Sequence, residues 1–395
     1  MHIRLAFPSP SELAVGCGVV ALIQLAAAVR ARWAEGRAAP PWPSGAPPAL
    51  VVFTCKGVGP GLRENAAAFL AQDYPGAVSY LYVVPKASDP AYAVLSEVAQ
   101  AARGADVRVL ASEVEPVGCS GQAADLAWAA GRFPAASRLL VFADADCRVA
   151  SDWLSAMCAP LADPAVGVST SAALPVPRGW SLPGTLKMLW VAASLPFFSA
   201  AGLVCGQSMA LRREDFERWG VAEAWKRCVG NDHVVARLAA AWDRRVRFVF
   251  SALPADREEC TWASLWSVLN KWMTYTRVYA PGPWAAGFAL CLFKSAALAA
   301  ALVPRPQGAL LAAVWGMDAA FLAFTVHWLS GLRPAVFAGF PLGRAGLCAA
   351  AVLGAAPVFL VYLVNHLASL TSRVRWAGRV YRFRGPLDVD VEDGP

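Results

Sequence analysis

Residues 139–149 read LLVFADADCRV. The four apolar residues 139–142 have strand propensity, and Asp144 and Asp146 follow where such a strand would end. If the strand runs straight on, alternation puts both carboxylates on one side of the backbone, with Ala145 between them. Two close carboxylates repel unless a cation lies between them, and hard oxygens suit Mg²⁺ or Mn²⁺. One reading is therefore a site for a divalent metal and a diphosphate. The other is a loop whose aspartates cap the helix that begins near Ser151. A DxD by itself does not choose between them.

The flanking pattern supplies context. Apolar runs at residues 50–54, 78–84, 107–110 and 139–143 are separated by helix-length segments at 62–71, 90–103 and 121–130. Strands alternating with helices predict an α/β domain with a mostly parallel sheet covered on both faces. Ligands collect at the carboxyl ends of such strands, where Asp144 and Asp146 stand and where Asp89 lies a few residues past another strand. The loop at 54–60, TCKGVGP, is glycine-rich but lacks the spacing of a Walker or dinucleotide loop. Further on, the pattern predicts a helix at 153–161 and strands at 166–171 and 246–250. The segment 205–215, CGQSMALRRED, reads as a small-residue loop running into charge. Asp232 and His233 open a helix at 229–240, where Asp232 is either a cap or a general base.

Composition sets the class. Of 395 residues 57% are hydrophobic and only 16% charged, and the mean hydropathy is +0.44, too apolar for a purely soluble protein. The net charge of +7 does not point to nucleic acid, because the central domain has no dense basic run and five arginines cluster at 373–384 beside an apolar segment. Ten cysteines are scattered without a CxxC pair, which argues against zinc and for reduced thiols facing the cytosol.

Residues 13–29 are uncharged and followed by Arg30, Arg32 and Arg37, the pattern of a signal anchor with its C-terminal end in the cytoplasm; Arg4 leaves a cleaved signal as the weaker alternative. Prolines 40, 41, 43, 47 and 48 make a stiff linker. The division expected is an anchor at 1–37, a linker at 38–48, the α/β domain at 49–260, an interfacial amphipathic helix at 261–283, a membrane region at 284–370 and a basic then acidic tail at 371–395. Residues 182–200 predict a helix in the membrane interface or buried in the core, and 264–278 an amphipathic helix with Lys271, Trp272 and Arg277. Spans are expected at 284–303, 309–329 and 347–370, with a tight turn at 304–308. Lys294 and Asp318 each lie ten residues from that turn and are predicted to pair. Three spans would leave the C-terminus outside, whereas the arginines argue inside; a short or re-entrant segment around 334–342 would resolve the conflict.

The succession of Lys56-Gly57, Asp89-Pro90-Ala91, Asp144/Asp146, GQSMALRR at 206–213, Asp232 and Lys271-Trp272 resembles the membrane-bound family 2 glycosyltransferases. Within them it looks most like the ceramide glucosyltransferase branch and its bacterial relatives, hopanoid-associated enzymes included. The resemblance covers residues 51–281 and implies a GT-A-type nucleotide-sugar domain with N-terminal and C-terminal transmembrane helices. It further implies a UDP-sugar donor, a membrane lipid acceptor and catalysis at the cytoplasmic face, in a bacterial inner membrane. By the same resemblance Asp89 would contact the uracil or ribose, and Asp144 with Asp146 would hold Mg²⁺ or Mn²⁺ on the diphosphate. Asp232 would be the catalytic base of an inverting transfer, Lys271 and Trp272 would flank diphosphate and acceptor, and Lys56, Gly57, Gly206 and Ser208 would belong to the substrate site. The family's (Q/R)xxRW stands here as Val268-Leu269-Asn270-Lys271-Trp272, and residues 118–126 lack the lysine and asparagine expected there. A processive polysaccharide synthase and a non-catalytic sugar-nucleotide or lipid-binding protein are the alternatives.

Overall fold

A computed structural model of the chain describes residues 10–37, 39–42, 44–257, 259–302 and 308–393. Arg4, Pro43 and residues 303–307, most of the expected turn, lie outside the described residues.

The first half of the domain alternates as predicted. Strands β1 (Ala49–Thr54), β2 (Val78–Val84), β3 (Asp106–Ala111) and β4 (Leu139–Asp144) pair in parallel. Helices α2 (Leu62–Leu70), α3 (Pro90–Ala101) and α4 (Gly121–Ala130) connect them. The strand sequences are apolar throughout because both faces are covered. Val51, Phe53 and Tyr82 pack with Phe69 of α2 and Leu95 of α3, while Leu50, Val52 and Leu81 pack on the other face with Ala123 and Leu126 of α4.

Beyond β4 come β5 (Cys147–Arg148), α5 (Trp153–Cys158), β6 (Val166–Ser171), β7 (Leu174–Pro175), α6 (Leu182–Ala200), β8 (Ser208–Arg212), α7 (Arg213–Arg218), α8 (Val221–Trp225), α9 (Asn231–Ala241), β9 (Arg245–Phe248) and β10 (Ala255–Asp256). The main sheet has the order β3-β2-β1-β4-β8-β6-β9, and β8 alone runs against its neighbours. Strand β8 is where the sequence predicts a loop. Its first four residues are buried, so SMALR shows no polar–apolar alternation to read. A small second sheet, β5-β10-β7, lies next to the DxD.

Among the described residues, four helices are long and apolar enough to cross a membrane: α1 (Pro10–Glu35), α11 (Pro281–Leu302), α12 (Gly308–Leu332) and α13 (Gly343–Ala368). Between them and the domain lie α6 and α10 (Trp262–Tyr279). Helix α6 buries Leu186, Met188, Leu189 and Trp190 in one cluster with Leu322 of α12 and Val358 of α13, so it joins the domain to these apolar helices. Helix α10 opens on a capping box formed by Thr261 and Ser264.

The C-terminus returns to the domain without a further helix. Residues 333–342 are turns, not a re-entrant helix. At the end of α12, Arg333 pairs with Asp152 of the domain at 2.9 Å, and Arg344 at the start of α13 reaches the carbonyl of Ser330 at 3.3 Å. At the other end of α13, Asn365 donates to Asn270 of α10 at 2.6 Å, and Ser369 accepts from Trp284 at the start of α11 at 2.9 Å. Both ends of α13 thus stand against the domain side, which reconciles the helix count with the basic tail.

That tail folds as an antiparallel sheet of β11 (Arg373–Trp376), β12 (Arg379–Gly385) and β13 (Asp388–Asp393). The basic-then-acidic pattern is cross-strand pairing: Arg382 meets Glu392 at 3.1 Å and Arg384 meets Asp390 at 2.6 Å. Val374, Tyr381 and Phe383 are buried in the same core as α4 and α9, so the sheet is packed onto the α/β domain.

Candidate active site

A continuous cavity of about 1640 Å³ opens at the carboxyl ends of β1 and β4 and extends among α1, α6, α10, α11, α12 and α13. Lys56, Gly57, Asp89, Asp144, Asp146, Gly206, Asp232, Lys271 and Trp272 all line it. Ser208 does not reach it; its hydroxyl is buried and accepts from Trp153 Nε1 at 3.0 Å, a packing role.

The DxD is built by the register of the sheet. Thr54 of β1 stands beside Asp144, the last residue of β4, and Ala145 and Asp146 form a turn rather than continuing the strand. Asn65 of α2 holds this turn, donating from Nδ2 to the Ala145 carbonyl at 3.0 Å and accepting from Arg148 Nε at 2.8 Å. Neither aspartate caps α5, whose N-cap residue is Asp152. Asp144 Oδ1 accepts from Gln122 Nε2 at 2.7 Å. Burial pushes the Asp144 carboxyl up to about 6; the Gln122 bond and the Lys271 ammonium oppose that rise, and the charge of Asp232 adds to it.

Asp232 sits in the first turn of α9. Its Oδ2 accepts from the Gly206 N–H and its Oδ1 from the His233 N–H, both at 2.7 Å. One main-chain donor on each oxygen fixes the plane of the carboxylate and leaves further lone pairs free to accept. A Cβ at Gly206 would stand 3.3 Å from Oδ2, so the small residue is needed for this approach. His233 stacks on Tyr279 of α10 with centroids 5.4 Å apart, and the Tyr279 hydroxyl accepts from the Val229 and Gly230 N–H groups at 3.0 and 3.1 Å. The start of α9, with Asp232, is thereby tied to the helix that carries Lys271.

Asp89 has a different immediate task. Its carboxylate accepts from the Gly57 N–H at 2.9 and 3.1 Å and caps α3 by accepting from Ala91 N–H at 2.9 Å. Gly57 has φ of 72°, a left-handed conformation that places the loop after β1 over the cavity.

Lys271 is carried on α10 with its Nζ 4.5 Å from the centroid of the Trp376 ring. Burial lowers its pKa, and the charges of Asp144, Asp146 and Asp232 counteract this. Trp272 leans on Trp190 of α6 with centroids 6.2 Å apart.

Several lining residues were not singled out from sequence. Gln122 and Asp125 come from the segment that lacks the expected lysine and asparagine. Asp125 accepts from Ser112 Oγ at 2.5 Å, and burial pushes it up to about 6, with the Ser112 bond and Lys56 opposing and Asp89 adding. Lys187 and Asp256 form a buried pair at 2.7 Å in the wall. Trp376, Ala377, Arg379 and Tyr381 bring the C-terminal sheet to the rim. Only a cross-domain contact puts them there, and no local motif announces that.

No curated protein matches the chain in sequence. Among solved structures, it is similar to a mannosyltransferase from Pyrobaculum calidifontis, solved with GDP-mannose and Mn²⁺: 17% identity over 92% of this chain and 97% of that one, TM-score 0.51. This is a likeness of fold, and the fold is of the GT-A type with added apolar helices. A glucosyl-3-phosphoglycerate synthase from Mycobacterium tuberculosis, solved with Mn²⁺ and UDP-glucose, aligns at 16% identity over 58% of this chain and 79% of that one, with a TM-score of 0.36, too low to bear on the fold. The profile of glycosyl transferase family 21 matches residues 14–386, a stretch that takes in most of the first apolar helix, the α/β domain, the other long apolar helices and most of the C-terminal sheet. With both the site and its apolar walls inside that match, the chain belongs to glycosyl transferase family 21 and is a glycosyltransferase.

Proposed function

We propose that the protein transfers a hexose from a UDP-sugar to a hydroxyl of a membrane lipid, ceramide-like or other, with inversion at the anomeric carbon and at the cytoplasmic face. The observation that carries this reading is the two-part wall of one cavity. Its polar end holds Asp144, Asp146, Asp232 and Lys271, and its other end is lined by Trp190, Phe197, Trp284, Leu322 and Val358 from helices among the membrane segments. A water-soluble donor suits the first end and a lipid the second. Arg30, Arg32 and Arg37 at the domain end of α1 support the cytoplasmic side.

The residues fit a divalent metal. Asp144 and Asp146 offer hard oxygens, and burial, with the Asp232 charge adding to it, raises the Asp144 carboxyl, a cost that a bound cation would offset. No group of three His, Cys, Asp or Glu able to hold an ion occurs among the described residues. The two aspartates would therefore hold Mg²⁺ or Mn²⁺ together with the donor diphosphate and water, a coordination these ions accept. When bound, the ion offsets the charge gathering on the departing UDP. Lys271 adds a buried positive charge on the same side.

Asp232 supplies the proton acceptor. The acceptor lipid's O–H gives its proton to Asp232 as its oxygen bonds to the anomeric carbon, and the bond from that carbon to the diphosphate oxygen breaks on the opposite face. The Gly206 and His233 N–H groups hold the carboxylate through this step. A single displacement needs no carboxylate nucleophile.

The test is to offer radiolabelled UDP-glucose, UDP-galactose and UDP-N-acetylglucosamine to the purified full chain with membrane lipid extract. Label moving into a discrete lipid supports the reading; label in a polymer, or from no donor under any condition, overturns it.

A further inference from the structure

Within its apolar half the cavity wall carries one polar cluster. Lys294 of α11, Asp318 of α12 and Gln24 of α1 line it there, among helices long enough to span the membrane. Lys294 Nζ meets Asp318 Oδ1 at 2.5 Å, and Gln24 Nε2 donates to that same oxygen at 2.8 Å. Both donors fall on Oδ1; Oδ2 accepts no hydrogen bond among the described residues. The Asp318 side chain keeps 14% of its surface open, more than Lys294 at 8%, so the carboxylate is the accessible member of the pair.

An oxygen of a carboxylate that opens onto the cavity at this depth keeps its capacity to accept, and a donor on a bound ligand would meet it. The charge balance says which kind. Lys294 already neutralises Asp318, so a cationic ligand would leave an unpaired charge in an apolar place, whereas a neutral O–H or N–H would not. Depth gives the position. Trp284 and Lys294 line the cavity on the same helix ten residues apart, about 15 Å along its axis and on the order of ten methylene groups of an extended chain.

We infer that this triad is a subsite for a hydroxyl borne on the hydrocarbon body of the acceptor lipid, far from the hydroxyl that receives the sugar. The inference rests on the lipid-acceptor reading above and narrows it to lipids with a second, neutral hydrogen-bond donor in mid-chain. Asp318 Oδ2 accepts that donor, and Gln24 and Lys294 hold the carboxylate in place. Such a site selects among lipids that an apolar groove alone would treat alike.

Binding of a long-chain 1-alkanol is compared with diols of the same length whose second hydroxyl is moved stepwise along the chain. The full chain in detergent is used, and tryptophan emission reports occupancy because Trp190, Trp272 and Trp284 line the cavity. A narrow window of positions should bind about tenfold or more tighter, the range of a hydrogen bond to a charged group. The double variant Lys294→Met/Asp318→Leu replaces the pair by apolar groups, a change that buried pairs often tolerate. It should bind the alkanol as before and lose the diol preference. The inference is overturned if no diol outdoes the alkanol, or if the double variant keeps the preference. Failure of the alkanol itself to bind would overturn the lipid-acceptor reading with it, whereas binding without positional preference overturns this inference alone.

Discussion

Asp125 offers a stability change whose sign depends on pH. The residue is 6% exposed on the cavity wall, and burial raises its carboxyl from 3.8 to about 6. A carboxyl raised on folding contributes stability that is fully present below 3.8 and is lost as pH rises through about 6. The shift of about two units corresponds to roughly 3 kcal/mol lost at neutral pH. Asp125→Asn keeps an oxygen to accept from Ser112 and cannot ionise. The variant should be more stable than the parent at pH 7.5, by up to roughly 3 kcal/mol, and equal to it near pH 4. Thermal unfolding of the detergent-solubilised chain, followed from pH 4 to 8, reads the difference. Because the ionised carboxylate faces Lys56 and the donor end of the cavity, the stabilised variant should also lose activity. An equal shift at both pH values, or a destabilised variant at pH 7.5, would refute the account.

Gly206→Ala places a Cβ 3.3 Å from Asp232 Oδ2 and should lower kcat by about a hundredfold at nearly unchanged melting temperature, since a displaced base loses its alignment; steady-state kinetics beside a melt checks this. Lys294→Asp leaves two carboxylates together and should destabilise by roughly 3–5 kcal/mol or abolish folding, and adding Asp318→Lys should restore it, as detergent size-exclusion would report. Trp376→Ala removes the ring beside Lys271 and should lower kcat/KM by about three- to thirtyfold through the lost cation–π contact, measurable with any accepted donor. Asp144→Asn and Asp146→Asn should each weaken Mn²⁺ binding in the presence of UDP by at least about tenfold, read by calorimetry.

Much of the fold was legible because its signals are local. The runs at 78–84 and 166–171 and the helices at 121–130 and 182–200 form as the pattern predicts, to the residue. The pairing of Lys294 with Asp318 was legible from depth alone, since an unpaired charge inside a membrane is costly. Strand β8 was not, because a strand buried on both faces carries no alternation and its neighbours β4 and β6 are distant in sequence. The C-terminal sheet was read as a tail: its charges mark the pairs of a folded sheet as readily as a solvated segment, and only the burial of Val374, Tyr381 and Phe383 on the domain distinguishes the two. At the site, the acidic residues stand in recognisable motifs, whereas Gln122, Trp376 and Gln24 reach the cavity through long-range packing that no spacing encodes.

The central claim is that Asp232 takes a proton from a lipid hydroxyl while Asp144 and Asp146 serve the donor. The most direct measurement pairs UDP binding in the presence of Mn²⁺ with transfer of radiolabelled sugar into lipid, for the parent chain and for Asp232→Asn. The account predicts that the variant binds UDP as the parent does and transfers no label to lipid. Transfer at the parent's rate by Asp232→Asn, or loss of UDP binding in step with transfer, would contradict it.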